Sequence, residues 1–138
     1  MFSAEEIAYL NTQPLARLAT LGDGGQPDVV PVAFEFYGVG FWVGGGPTVV
    51  GTRKIRNILA GRHLVSLVVD DLVSLRPFVA RGVRVYGRAS EPVQRVGMVG
   101  PGTFTRITPT TTWSWNLAGE PATDEWYPMT RTEHSITE

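Results

Sequence analysis

The sequence predicts a mainly β domain, a small antiparallel barrel carrying two short helices. Three observations lead there. Most apolar residues fall in short runs of four to eight, bounded by glycine, proline or acidic pairs, which is how strands and their turns are written. Only two segments show helical spacing, too few for the alternating strands and helices of a doubly wound sheet. With 138 residues, 43% hydrophobic and 18% charged, the chain is long enough for one folded domain and short for two.

The first helix is announced at its start. Ser3 is a cap, Glu6 three residues later completes a capping box, and Phe2 with Ile7 forms a hydrophobic staple. Pro14 ends it. Leu15–Leu21 reads as the first strand, with Arg17 as a polar interruption, and residues 22–25 as a turn. Val29–Phe36 is the second strand. Pro31 inside it predicts a bulge, an edge, or a place where something other than a neighbouring strand meets the backbone. Phe41-Trp42-Val43 opens a third strand, and the following Gly44-Gly45-Gly46-Pro47 is too rich in glycine for sheet interior.

A second helix is expected from Thr52 to Ala60, with Ile55, Ile58 and Leu59 on its buried face and Gly61 as its stop. Leu64–Val69 is a buried strand ended by Asp70-Asp71, and residues 72–81 are a connection. Val83–Ala89 alternates, with Val83, Val85, Gly87 and Ala89 on one face and Arg84, Tyr86 and Arg88 on the other. Residues 91–102 predict a loop or broken helix. Thr103–Thr108 and Thr111–Asn116 predict two closing strands on either side of Pro109. From Ala118 onward, five acidic residues and one arginine predict a loosely ordered tail. The domain is thus expected over residues 1–117 and the tail over 118–138.

Composition excludes several chemistries. The absence of cysteine excludes disulfides, a thiol nucleophile and an iron–sulfur centre, and with two histidines a zinc site is not expected. No apolar run approaches the roughly 20 residues of a membrane-spanning helix, and no membrane partner is expected. The acidic N-terminus has no secretory pattern, so the expected location is cytoplasmic. A net charge of −1 gives no overall attraction to nucleic acid.

That net charge is unevenly spread. Residues 50–90 hold eight basic side chains and two acids. The densest cluster, Thr52-Arg53-Lys54-Ile55-Arg56-Asn57, falls where a helix begins. Free backbone N–H groups and the positive end of the helix dipole favour an anion there, and arginine forks a phosphate with two hydrogen bonds. The plainer reading is a solvated helix face. Neither a P-loop nor a dinucleotide-binding glycine fingerprint is present.

Asp70 and Asp71, adjacent on a strand, point to opposite faces and are not expected to act on one atom together. His63, His134 and the serines lack the partners of a nucleophile–base pair. Trp113 and Trp115 share a face, as core, as dimer interface, or as a wall for a planar ligand.

In their order and spacing, several pieces resemble the pyridoxamine 5'-phosphate oxidase-like split-barrel family, and within it the deazaflavin-dependent reductases, including the tetracycline-pathway dehydro-intermediate reductase branch. They are Arg17–Leu21, Pro27–Val32, Thr52–Asn57, Val68–Asp71, Pro77-Phe78, Arg81–Val83, Ile107–Pro109 and Trp113–Asn116. The resemblance implies a six-stranded antiparallel split barrel of the flavin-reductase type with two short helices. It implies a homodimer with the cofactor, coenzyme F420 or alternatively FMN, between the subunits. By the same resemblance Thr52, Arg53, Lys54 and Asn57 hold the cofactor phosphate. Pro31, Val32 and Phe34 lie against the ring, and Val69, Asp70, Asp71, Phe78 and Gly82 lie near the ring or its tail. The implied activity is hydride transfer from the reduced deazaflavin to a conjugated small-molecule substrate; an FMN oxidoreductase or a non-catalytic binding protein is the alternative. Phe78 stands where that branch commonly has tryptophan, and Arg84 where it commonly has an acid.

Overall fold

The computed structural model describes residues 1–135. Helix α1 (Ala4–Thr12) is followed by strands β1 (Leu15–Leu21), β2 (Pro27–Phe36) and β3 (Phe41–Gly45), then helix α2 (Arg53–Leu59), then β4 (Leu64–Ser74), β5 (Val79–Ala89), β6 (Val93–Gly97), β7 (Gly100–Trp115) and β8 (Met129–Glu133). Short 3₁₀ turns occupy Asp23–Gly25 and Pro47–Gly51.

Six strands close a barrel in the cyclic order β3-β2-β1-β4-β5-β7, and antiparallel pairing of β3 with β7 joins the ends. Strands β6 and β8 flank β7 as extras. Closure removes the open edges that β3 and β7 would otherwise present. Alternation sends Ala16 and Leu18, Val32 and Phe34, Val65, Leu67 and Val69, and Val83 and Val85 into the interior, around Phe41. The α1 capping box forms as its sequence requires: Glu6 N–H donates to Ser3 Oγ at 3.1 Å and Ser3 N–H to Glu6 Oε1 at 2.9 Å.

Several expectations are corrected. Gly44 and Gly45 are strand residues of β3, opposite Phe104 and Thr103. A Cβ on Gly44 would lie 2.2 Å from the Thr103 carbonyl oxygen, and one on Gly102 would lie 1.8 Å from that of Gly45. Here the glycines allow two backbones to approach, rather than ending the strand. Strands β4 and β5 extend through most of the supposed connection, so Asp70 and Asp71 lie within β4 and do not end it.

Residues 93–102 form no helix. They make a hairpin of β6 with β7, held by Arg95, whose guanidinium pairs with Glu35 at 2.8 Å and lies 4.4 Å from the centre of the Trp42 ring. The two closing strands are one. β7 runs through Pro109, where the register against β5 shifts between Tyr86 and Gly87 and accommodates a residue without an N–H.

Leu59 is exposed, so Ile55 and Ile58 alone anchor the apolar face of α2. Within the segment expected to be loose, β8 pairs with β7 over five residues. Residues 116–128 are tied across the β4–β5 turn: Asn116 Nδ2 donates to the Ala80 carbonyl at 2.8 Å, and Tyr127 Oη to the Phe78 carbonyl at 3.2 Å. The last three residues of the expected tail lie outside those described. No described helix is long and apolar enough to cross a membrane.

Candidate functional site

Three places on the barrel carry the polar chemistry. The first is the start of α2. Ile55 and Ile58 bury completely, and Asn57, also buried, donates from Nδ2 to Thr20 Oγ1 of β1 at 2.9 Å. That docking fixes the helix against the barrel. Among the described residues, Arg53, Lys54 and Arg56 have no carboxylate within ion-pairing distance. Burial lowers the Lys54 ammonium below the ordinary lysine range, opposed by the negative charge of Asp28. The Thr52 hydroxyl donates to the Val49 carbonyl at 2.6 Å and does not cap the helix.

The second is the outer face of the sheet. The register sets one transverse row across five antiparallel strand pairs: Pro31, Arg17, Val68, Arg84, Trp113, Arg131. Strand spacing of about 4.8 Å places Arg17 and Arg131 each roughly 10 Å from Arg84, on either side. Arg17 pairs with Asp70, and Arg131 with Glu133. The Arg84 guanidinium lies 4.0 Å from the centre of the Trp113 ring and 5.5 Å from that of Tyr86. The next row holds Asp70, Gly82, Trp115 and Met129. A Cβ on Gly82 would lie 2.7 Å from the Trp115 ring, so glycine makes room for that ring over β5. A shallow depression of about 370 Å³ lies farther along, lined by Ala19, Leu21, Pro27, Leu64, Ser66 and Tyr86.

The third place lies where α1 packs on the barrel. Tyr9 Oη donates to Asp71 Oδ1 at 2.7 Å, and Arg81 forks the same carboxylate at 2.9 and 3.2 Å. Burial works to raise the Asp71 carboxyl. The bonds from Arg81 and Tyr9 outweigh it and hold the group below its usual range. The Asp71 bond in turn raises Arg81. Burial first, and then the bond to Asp71, push the Tyr9 phenol well above its ordinary value.

The expected site residues therefore separate. Pro31, Asp70 and Gly82 share the outer face. Val32, Phe34 and Val69 bury their side chains in the core and can meet a ligand only through backbone. Asn57 fastens α2 to β1, with its side chain turned away from solvent. Asp71 belongs to the α1 contact on the opposite face from Asp70, as strand alternation requires. Phe78 stands at the β4–β5 turn, partly exposed, against the ring of Trp126 at 6.2 Å. Arg53 and Lys54 stay together at the start of α2. Two larger depressions, about 590 and 650 Å³, flank the N-terminus; Trp115 lines the smaller, and none of the residues expected to hold the cofactor lines either.

Sequence reasoning missed the Tyr9–Asp71–Arg81 cluster and the pairing of Arg17 with Asp70. The one signal for the latter was an arginine inside an otherwise apolar strand. No group of three or more metal-ligating side chains occurs among the described residues.

A six-stranded barrel closed between β3 and β7, with a short helix docked beside β1, defines a class of small β-barrel proteins. Residues 3–115 match the model of the pyridoxamine 5'-phosphate oxidase family, and the chain belongs to that family. A 5a,11a-dehydrotetracycline/5a,11a-dehydrooxytetracycline reductase from Streptomyces rimosus is 40% identical over 89 residues, spanning 64% of this chain and 62% of that protein. Among solved structures, a conserved hypothetical protein from Mycobacterium tuberculosis superposes with a TM-score of 0.67 at 22% identity, covering 91% of this chain and 93% of that one. One described as an F420 reductase superposes with a TM-score of 0.57 at 20% identity, covering 72% and 90%. At these identities the two structures share the fold with this chain.

Proposed function

We propose that this protein is a reductase that works as a homodimer and passes a hydride from reduced coenzyme F420 to a conjugated small organic molecule. The observation that carries the reading is the start of α2. Among the described residues, Arg53, Lys54 and Arg56 have no carboxylate within ion-pairing distance, and they stand on a helix that Ile55, Ile58 and Asn57 fasten to β1. A half-buried ammonium and two guanidiniums are a donor set for an oxyanion, and a phosphate-bearing cofactor brings one. The 40% identical relative, named as a reductase, supports the same direction.

Hydride chemistry belongs to the bound cofactor. The chain's own residues bind and orient. Arg53 and Lys54 hold the phosphate. The low outer face at Pro31 and Ala33, both exposed, leaves room for a flat ring. Leu15, Leu21, Val29, Leu64 and Leu72 point outward and are exposed. Such an apolar outer surface on a small barrel supports burial against a second copy.

Anaerobic titration with coenzyme F420 and with FMN, followed in the visible spectrum, tests the cofactor. Saturable binding of F420, together with substrate-dependent oxidation of its reduced form, is the expected result. Preference for FMN would make the protein a flavin oxidoreductase, and binding without turnover against conjugated substrates would make it a carrier. Light scattering should give about twice 15.1 kDa; a monomer that binds cofactor fully would refute the interface site.

A further inference from the structure

The larger of the two depressions beside the N-terminus, about 650 Å³, falls within the size range of small-molecule sites. Three segments bring hydrogen-bonding side chains to it: Tyr37 from the turn between β2 and β3, Arg106 from β7, and His134 just after β8. Phe2, Val39 and Pro109 supply apolar wall. Each polar side chain can be reached from solvent, since Tyr37 is 43% exposed, Arg106 is exposed and His134 is half-buried. The Tyr37 N–H donates to the Gly40 carbonyl at 3.0 Å and closes the turn. A Cβ on Gly40 would lie 2.6 Å from Tyr37 Oη, so glycine makes room for the phenol at that place. His134 is held at three points. Its backbone N–H donates to the Thr110 carbonyl at 2.9 Å, its Nε2 lies 2.8 Å from Thr112 Oγ1, and its ring centre lies 4.7 Å from that of Phe2. Burial lowers the imidazole below its ordinary range, reinforced by the N-terminal ammonium and opposed by Glu6 and Glu133, so the ring is neutral at pH 7. Burial raises the Tyr37 phenol, with the Arg106 charge opposing, so the phenol keeps its proton. Among the described residues, Arg106 has no carboxylate within ion-pairing distance, and it carries the one charged side chain that lines the cavity.

We propose that this cavity binds a small monocarboxylate with an apolar body, its carboxylate on the Arg106 guanidinium and the Tyr37 hydroxyl and its body against Phe2, Val39 and Pro109. A carboxylate takes two parallel hydrogen bonds from a guanidinium and still has lone pairs for a phenol O–H. One guanidinium among neutral groups balances one negative charge, which favours a monoanion over a phosphate dianion. None of the residues expected to hold the cofactor lines the cavity, so the site stands apart from the start of α2 and does not rest on the reductase reading.

The full chain without cofactor, labelled with ¹³C and ¹⁵N, is titrated with benzoate, with the neutral isostere benzamide and with acetate, and the imidazole C–H resonances are followed. The chain has two histidines, and His63, which lines none of the depressions described, serves as the internal reference. Benzoate should shift the His134 resonances saturably and leave those of His63 in place, and benzamide should not. Acetate, which has the charge without the apolar body, should bind at least about tenfold more weakly. Arg106→Gln and Tyr37→Phe should each weaken benzoate binding by about ten- to a hundredfold, the scale of one hydrogen bond to a charged group. Arg106→Lys, which keeps the charge without the planar fork, should fall between; it also keeps the test decisive if the glutamine variant melts early. No saturable response from the full chain, equal responses to benzoate and benzamide, or His63 moving in step with His134 would overturn the proposal. So would acetate binding as tightly as benzoate, or full affinity in Arg106→Gln or Tyr37→Phe.

Discussion

Replacing Asp71 with asparagine removes the charge that holds α1 to the barrel. The carboxylate accepts one bond from Tyr9 and two from Arg81, and the Arg81 guanidinium also lies 5.0 Å from the centre of the Tyr9 ring. Hydrogen bonds to a charged group contribute about 1.5–3 kcal/mol each when shielded. The Asp71 and Arg81 side chains keep 30% and 29% of their exposure, so solvent screens part of this. A loss of about 1.5–3 kcal/mol for the whole cluster is therefore expected at neutral pH. At this chain length that corresponds to a fall of roughly 5–12 °C in Tm. The pH dependence carries a definite sign. The folded-state carboxyl is held below its unfolded value, so its contribution is complete above the unfolded pKa near 4 and is lost as pH falls through the folded pKa. Urea melts of wild type and Asp71→Asn should differ most at pH 7, and the gap should close toward about pH 2. A gap below about 0.5 kcal/mol at pH 7, or one unchanged between the two pH values, would refute the reasoning, because either result means that the charge does no work.

Four other outcomes are expected. Ser3→Ala should cost about 0.5–2 kcal/mol in thermal or chemical melts without altering ligand affinity, since its bonds are confined to the first turn of α1. Asn57→Ala should cost about 1–3 kcal/mol and loosen α2, read as faster amide exchange at Ile55 and Ile58, because it strips a buried partner from Thr20. Gly44→Ala should fail to give a cooperative melt, because its Cβ would fall 2.2 Å from the Thr103 carbonyl oxygen at the barrel's closing seam. Lys54→Ala and Arg53→Ala should each weaken cofactor binding by about tenfold to a hundredfold in calorimetry at low salt, with little change in the cofactor-free melt. Unchanged affinity in the double variant would make the cluster a solvated helix face.

Much of the fold was legible because its signals are local. Ser3 and Glu6 set the start of α1 through groups three residues apart. The alternation of β5 separates Val83 and Val85 from Arg84 and Tyr86 by strand geometry alone, and Leu15–Leu21 carries its limits in Pro14 and the following glycines. The same local rule placed Asp70 and Asp71 on opposite faces, where they bond different arginines. The charge cluster at 52–57 was visible for a similar reason, but whether each member faces solvent depends on what the helix packs against. Asn57 turns inward because Thr20, 37 residues away, offers an acceptor in the core.

Tertiary structure alone decided the features that depend on distant backbone or side chains. Gly44 and Gly102 read as breakers in a linear sequence, yet they are the residues that let β3 and β7 meet and close the barrel. Pro109 reads as a boundary until the register shift against β5 shows how one strand carries it. The β6 hairpin has too weak a pattern of its own and is held by Arg95 reaching Glu35 and Trp42. The row that joins Arg17, Arg84, Trp113 and Arg131 gathers residues from four strands up to 114 positions apart. Sequence determines period, caps and charge, because those act within a turn or a strand. Which charges become neighbours is set by strand register, and register is fixed by the packing of the whole barrel.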